Sequence, residues 1–237
     1  MLFRSSPAEI QIGTKANGKY PDVALIETVS GLQVDFTYVY NYNSFDNIEM
    51  QYTMFGALLG PSTIILSNYL HTNPIYQTTN VSDELRFPRI ACPNPNNVVL
   101  GSELTVVFEE FIASSSNYNI VGFNNFAPPY ITKYNDGTNP NCPASINSNV
   151  NEQPVVTYDY TGSNVFIGWS WENTSTPPTS AKFPIVLKCG PHAEMYPGIQ
   201  YLITPLALNT GDKDIHLSIA GRNSTSNRSE EHTSELQ

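Results

Sequence analysis

The residues of this chain that could do chemistry are few and scattered. Carboxylates gather at Glu109-Glu110, with Glu172 and Glu194 further along. A glycosidase built on strands needs two such groups facing each other across a cleft, roughly 5 or 6.5–9.5 Å apart. Neighbouring strand residues point to opposite faces, so Glu109 and Glu110 are not that pair. Glu110 shares the parity of Leu104, Val106 and Phe108, which makes it either a buried carboxylate or the frayed end of its strand. Gly168-Trp-Ser-Trp-Glu172 places Trp169 and Trp171 on one strand face with Glu172 beside them. Two indoles so placed form a platform for sugar rings or fill a core, and the core is the commoner use of Trp in a sheet. Trp169, Trp171 and Glu172 are the candidate ligand-binding residues, with a glycan as the ligand.

Other chemistry finds little support. His71, His192 and His216 lack the spacing that puts two metal ligands on one element. Cys92, Cys142 and Cys189 show no C-x-x-C pattern, which argues against zinc or a redox centre. They fit one disulfide plus a thiol, or three reduced thiols. There is no G-x-S-x-G elbow and no glycine-rich phosphate loop. No catalytic residue, metal or cofactor is expected. Asn80, Asn173 and Asn223 open sequons, but an Asn-, Ser- and Thr-rich chain produces such triplets by chance.

Charge narrows the partners. Charged residues make up 14% of the chain, against the usual quarter, and 11 Lys and Arg face 21 Asp and Glu. Without a basic cluster there is no source of counterion release, so nucleic acid is not an expected partner. Recruitment to an anionic membrane is equally unexpected. No stretch approaches the length of apolar sequence that a membrane helix needs.

The elements that must position these residues are strands. Leu32 to Tyr40, Ile48 to Met54, Leu104 to Phe108, Val165 to Trp171 and Ile215 to Ile219 alternate apolar with polar residues. Strand-like runs also occur at 7–12, 22–28, 62–66, 85–91, 118–122, 154–160, 182–188 and 199–206. Gly, Pro, Asn and Asp punctuate them, with Asn17-Gly18 and Asp136-Gly137 as the clearest turns. At most 64–70 reads as a short helix. The expected fold is all-β, an antiparallel β-sandwich or jelly-roll-like arrangement of two sheets with almost no helix. It spans residues 1–222, with a break near 134–153 as the alternative, because a long Asn- and Pro-rich loop runs from about Asn124 to Gln153. No internal repeat stands out.

Residues 223–227 read as a disordered end. Residues 228–237, Arg-Ser-Glu-Glu-His-Thr-Ser-Glu-Leu-Gln, match the translation of a common sequencing adapter and read as a non-native tail. That tail holds one Arg and three Glu, so setting it aside takes the net charge from −10 to −8. The first residues show no basic region followed by an apolar core, so no signal peptide is expected in this fragment. Tyrosines cluster at Tyr38, Tyr40, Tyr42 and Tyr52 and again at Tyr130, Tyr134, Tyr158 and Tyr160, as on a recognition surface or simply in strands. The resulting expectation is a non-enzymatic structural or binding protein. It is a virion coat subunit or cell-surface adhesin, extracellular or on the virion surface. Its partners are other copies of itself or a surface receptor or glycan. A secreted carbohydrate-binding or glycoside-hydrolysing protein is the alternative.

Overall fold

A computed structural model describes residues 18–28, 31–56, 65–70, 74–93, 104–125, 130–135, 150–159, 162–173, 181–193 and 202–203. They are all-β and antiparallel. The first sheet holds β1 (Lys19–Thr28), β2 (Gly31–Tyr42), β3 (Phe45–Gly56), β4 (Ile65–Leu70) and the short β5 (Tyr76–Gln77), which joins β3 beyond β4. The second holds β6 (Glu84–Ala91), β7 (Thr105–Ile112), β8 (Asn117–Asn124) and β9 (Tyr130–Lys133). The third holds β10 (Val150–Tyr158), β11 (Val165–Asn173), β12 (Ala181–Cys189) and β13 (Leu202–Ile203).

The alternating runs that fall within the described residues are strands, and two local expectations are corrected. Residues 65–70 form a strand on β3 rather than a helix, because their backbone groups find a ladder there. The long loop after Asn124 is interrupted by β9 paired to β8, and β10 already begins at Val150. The expected strand at 214–220 and the tail lie outside the described residues. The described strands form three sheets rather than two. Within each, sequence neighbours pair as a meander, except that β5 pairs with β3 rather than β4, and no Greek-key crossover appears among the described strands.

The three sheets repeat one plan. Each opens with a strand whose pairing slips by one residue at an X-Pro step: Tyr20-Pro21 in β1, Phe87-Pro88 in β6 and Gln153-Pro154 in β10. Pro88 follows Pro21 by 67 positions, and Pro154 follows Pro88 by 66. The residue before each proline has positive φ: 53° at Tyr20, 47° at Phe87 and 55° at Gln153. Proline has no N–H to offer a ladder, so it suits a bulge, and the bulge bends and twists the strand. The single partner residue facing each bulge is aromatic: Tyr38, Phe108 and Trp169. The sequence shows only the X-Pro spacing, which is too thin a signal to be read as a repeat unaided.

The repeat also governs packing. The face of β11 that carries Trp169 packs against Val107 and Ile120, on the opposite face of the second sheet. The face of β7 that carries Phe108 packs in turn against Val39, Ile48 and Met50 of the first sheet. β6 lies across β1 and β2, β10 lies across β6, β7 and β8, and the rings of Tyr20 and Phe87 meet at 4.8 Å. The second sheet is therefore covered on both faces, and residues 104–110 are all buried. Gln153 makes the bulge testable, since its side-chain Oε1 is buried without a hydrogen bond. Glycine takes positive φ freely and valine does not. In urea titrations, Gln153→Gly should gain about 0.5–1 kcal/mol and Gln153→Val should lose at least that much. The reverse order would contradict the bulge geometry.

Candidate functional site

Among the described residues, two adjacent buried carboxylates lie where β7 crosses between its neighbours. Glu109 and Glu110 are both buried, at 1% and 3% exposure, and they face opposite ways. Glu110 therefore belongs to the buried alternative raised by its parity, and not to a frayed strand end.

Glu110 points toward the first sheet. Its Oε1 accepts a hydrogen bond from the Tyr76 hydroxyl of β5 at 2.6 Å. Its Oε2 takes Lys133 Nζ of β9 at 2.8 Å and the Asn119 amide at 3.4 Å. Burial, and then the Glu110 carboxylate, push the Tyr76 phenol far above its usual range, so it stays a donor.

Glu109 points toward the third sheet. Its Oε2 accepts the backbone N–H of Gln153, the bulge residue of β10, at 3.3 Å. Its Oε1 accepts no hydrogen bond, and Arg86 Nη1 of β6 lies 3.7 Å away. The Arg86 guanidinium is shared with Glu84 and sits 5.6 Å from the ring centres of Phe111 and Tyr118. Burial pushes the Glu109 carboxyl up to about 7, with the Gln153 amide and Arg86 pulling the other way.

A carboxyl that titrates near neutrality is what general acid–base chemistry requires. Here it is sealed between sheets, and the adjacent carboxylate lies on the far side of the same strand. Both groups act as ties: Glu110 binds the second sheet to the first, and Glu109 binds it to the third.

The two indoles lie in the core between the second and third sheets, with Trp169 at 0% and Trp171 at 7% exposure. Trp169 Nε1 donates to Asn151 Oδ1 of β10 at 2.7 Å. Their orientation matches the core use of Trp, and neither ring lies open beside Glu172, which is half-buried near the end of β11 opposite Lys182. His192 is half-buried, while His71, His216 and Glu194 lie outside the described residues. Among the described residues, no three His, Cys, Asp or Glu converge as metal ligands. No described helix is long and apolar enough to cross a membrane.

Tyr38, Tyr40, Tyr134 and Tyr158 are buried, and Tyr42 is exposed. Tyr134 donates to the Ala193 carbonyl at 2.9 Å, and the Tyr158 hydroxyl lies 2.8 Å from Thr105 Oγ1. Tyr158 thus links β10 to β7, and Tyr134 ties the segment after β9 to the segment after β12. Cys92 packs against the first core and Cys189 lies within the second, on opposite sides of the middle sheet. Tyr76, Arg86, Lys133 and Gln153 were not legible as partners of the carboxylates, since each comes from a different strand. Comparison with known proteins returned no match: no family model, curated protein or solved structure aligns with this chain.

The titration of Glu109 gives a signed prediction. Its folded-state pKa of about 7 exceeds its ordinary value of 4.5, so the folded chain holds this proton more tightly than the unfolded one. The linked stability is fully present below about pH 4.5 and is lost as pH rises to about 7. Glu109→Gln keeps the acceptor and removes the charge. Its stability relative to the parent should rise by about 3 kcal/mol between pH 4 and pH 8. A pH-independent difference in denaturant melts would show that Glu109 is not held protonated at neutrality.

Proposed function

We propose that the chain is a non-enzymatic structural or binding protein of an exposed surface, either a virion coat subunit or a cell-surface adhesin. The observation that carries this reading is the repeated meander. The same bulged unit occurs three times, and its chemistry-bearing side chains link one unit to the next. A short-polar surface with few charges supports the same reading, because it suits close contact with a neighbour. The separation of Cys92 from Cys189 fits the coat version, in which thiols stay reduced. The carbohydrate alternative rests on Trp169, Trp171 and Glu172, and the turning of both indoles into the core weakens it.

The reading predicts that antibodies to the chain label intact particles or intact cells of its source without permeabilisation. Labelling that appears only after the boundary is breached would contradict the surface role. Release of reducing sugar from a glycan panel by the purified chain would contradict the non-enzymatic one.

A further inference from the structure

Neither the carboxylate ties nor the cores account for the sequons. Composition alone can produce Asn80-Val-Ser, Asn173-Thr-Ser and Asn223-Ser-Thr, but the fold separates the first from the others. Asn173 is the last residue of β11, paired with Ala181, and Asn223 lies outside the described residues. Thr79, Asn80, Val81 and Ser82 are all exposed in the turn between β5 and β6. Val81, at 64%, is the most exposed large apolar side chain among the described residues.

Asp83, itself buried, anchors this turn from beneath. Its N–H donates to the Asn80 carbonyl at 3.2 Å, and its Oδ2 accepts the Asn80 side-chain amide at 3.1 Å. Its Oδ1 accepts the Ala113 N–H at 3.0 Å. Just upstream, Thr78 N–H donates to the Asp46 carbonyl at 3.0 Å, and Thr78 Oγ1 accepts the Asp46 N–H at 3.2 Å. These bonds bring three turns to one end of the molecule. Asn43 and Ser44 of the β2–β3 turn and Ser114, Ser115 and Ser116 of the β7–β8 turn are exposed, short and uncharged. A bulky group on Asn80 therefore extends into solvent, as an N-linked glycan must.

We propose that Asn80 is an N-glycosylation site. The proposal rests on the surface reading in its exported form, because the donor, a lipid-diphosphate-linked oligosaccharide, is used in a secretory lumen. Asn80 Nδ2 bonds to the anomeric carbon of the donor while the bond from that carbon to the diphosphate oxygen breaks. The diphosphate leaves with the electron pair, and the amide gives one proton to a base of the transferase; nothing is oxidised or reduced. Nδ2 begins with two hydrogens. Its contact with exposed Thr79 Oγ1, at 3.3 Å, is the one to give up, and the remaining N–H keeps its bond to Asp83. Transfer precedes folding, so the turn's contribution is a place where the folded chain tolerates the sugar.

Peptide mass spectrometry of the chain isolated from its source tests this. Release of N-glycans by an amidase in heavy-oxygen water should convert Asn80 to a labelled aspartate. When the full chain is secreted from eukaryotic cells, Asn80→Gln and Ser82→Ala should each remove one glycan, and Ser82→Thr should retain it. Ser82→Ala leaves the Asn80 bonds to Asp83 in place, so it decides the matter if Asn80→Gln does not fold. Unmodified Asn80 in the source chain overturns the proposal, as does a glycan count that neither variant lowers. Unmodified Asn80 on a chain that antibodies reach on intact particles or cells would sink the glycan and leave the surface role standing. A modified Asn80 on a chain that antibodies reach only after permeabilisation would do the reverse.

Discussion

A residue held at positive φ and followed by proline is costly in a strand, and this chain uses it three times in the same place. The left-handed conformation costs about 1–2 kcal/mol for a residue with a side chain. Proline also removes a ladder hydrogen bond. In return the opening strands of the second and third meanders bend out of their own sheets and across the preceding one. β6 lies on the first sheet and β10 on the second because of that bend. Were β6 straight, Phe87 would have no path to the Tyr20 ring, and Ile90 could not donate its N–H to Asp22 Oδ2 at 2.9 Å.

Stacking three meanders creates a middle sheet with no solvent face, and its composition follows. Val106, Phe108, Val121 and Phe123 serve one core, while Val107 and Ile120 serve the other. Within such a sheet the Glu109-Glu110 step is expensive, since a buried charge is tolerated only when paired and hydrogen-bonded. Glu110 meets that condition with Tyr76, Lys133 and Asn119. Glu109 meets it only partly, which is why its carboxyl holds its proton up to about pH 7. Asp35 in β2 shows the same direction, pushed up to about 6 by burial despite the Gln33 amide on both its oxygens. Each of these two groups contributes stability that is present in mild acid and lost as pH rises toward its raised pKa.

The fold class was legible because period-two alternation reports a strand whatever its partner. The layering was not. Leu104, Val106 and Phe108 alternate with Thr105, Val107 and Glu109, a pattern that does not say the second face is also buried. Burial of that second face depends on β10, far along the chain, reaching it through Gln153. Both indoles, named as candidate ligand-binding residues, lie buried, which is the commoner use of Trp in a sheet because such a pair covers a large apolar area. The short 64–70 segment misled because so brief an apolar run has no period of its own, and pairing with β3 decides its state.

If the middle sheet is what the other two lean on, its backbone must open last. Native-state hydrogen exchange measures this strand by strand. The amides of β7 and β8 should exchange only through global unfolding, with an opening free energy equal to that from denaturant melts, while those of β1 and β12 open earlier. Exchange of β7 and β8 at the rate of the outer strands would contradict the account, since it would mean that three separate hairpin sheets merely touch.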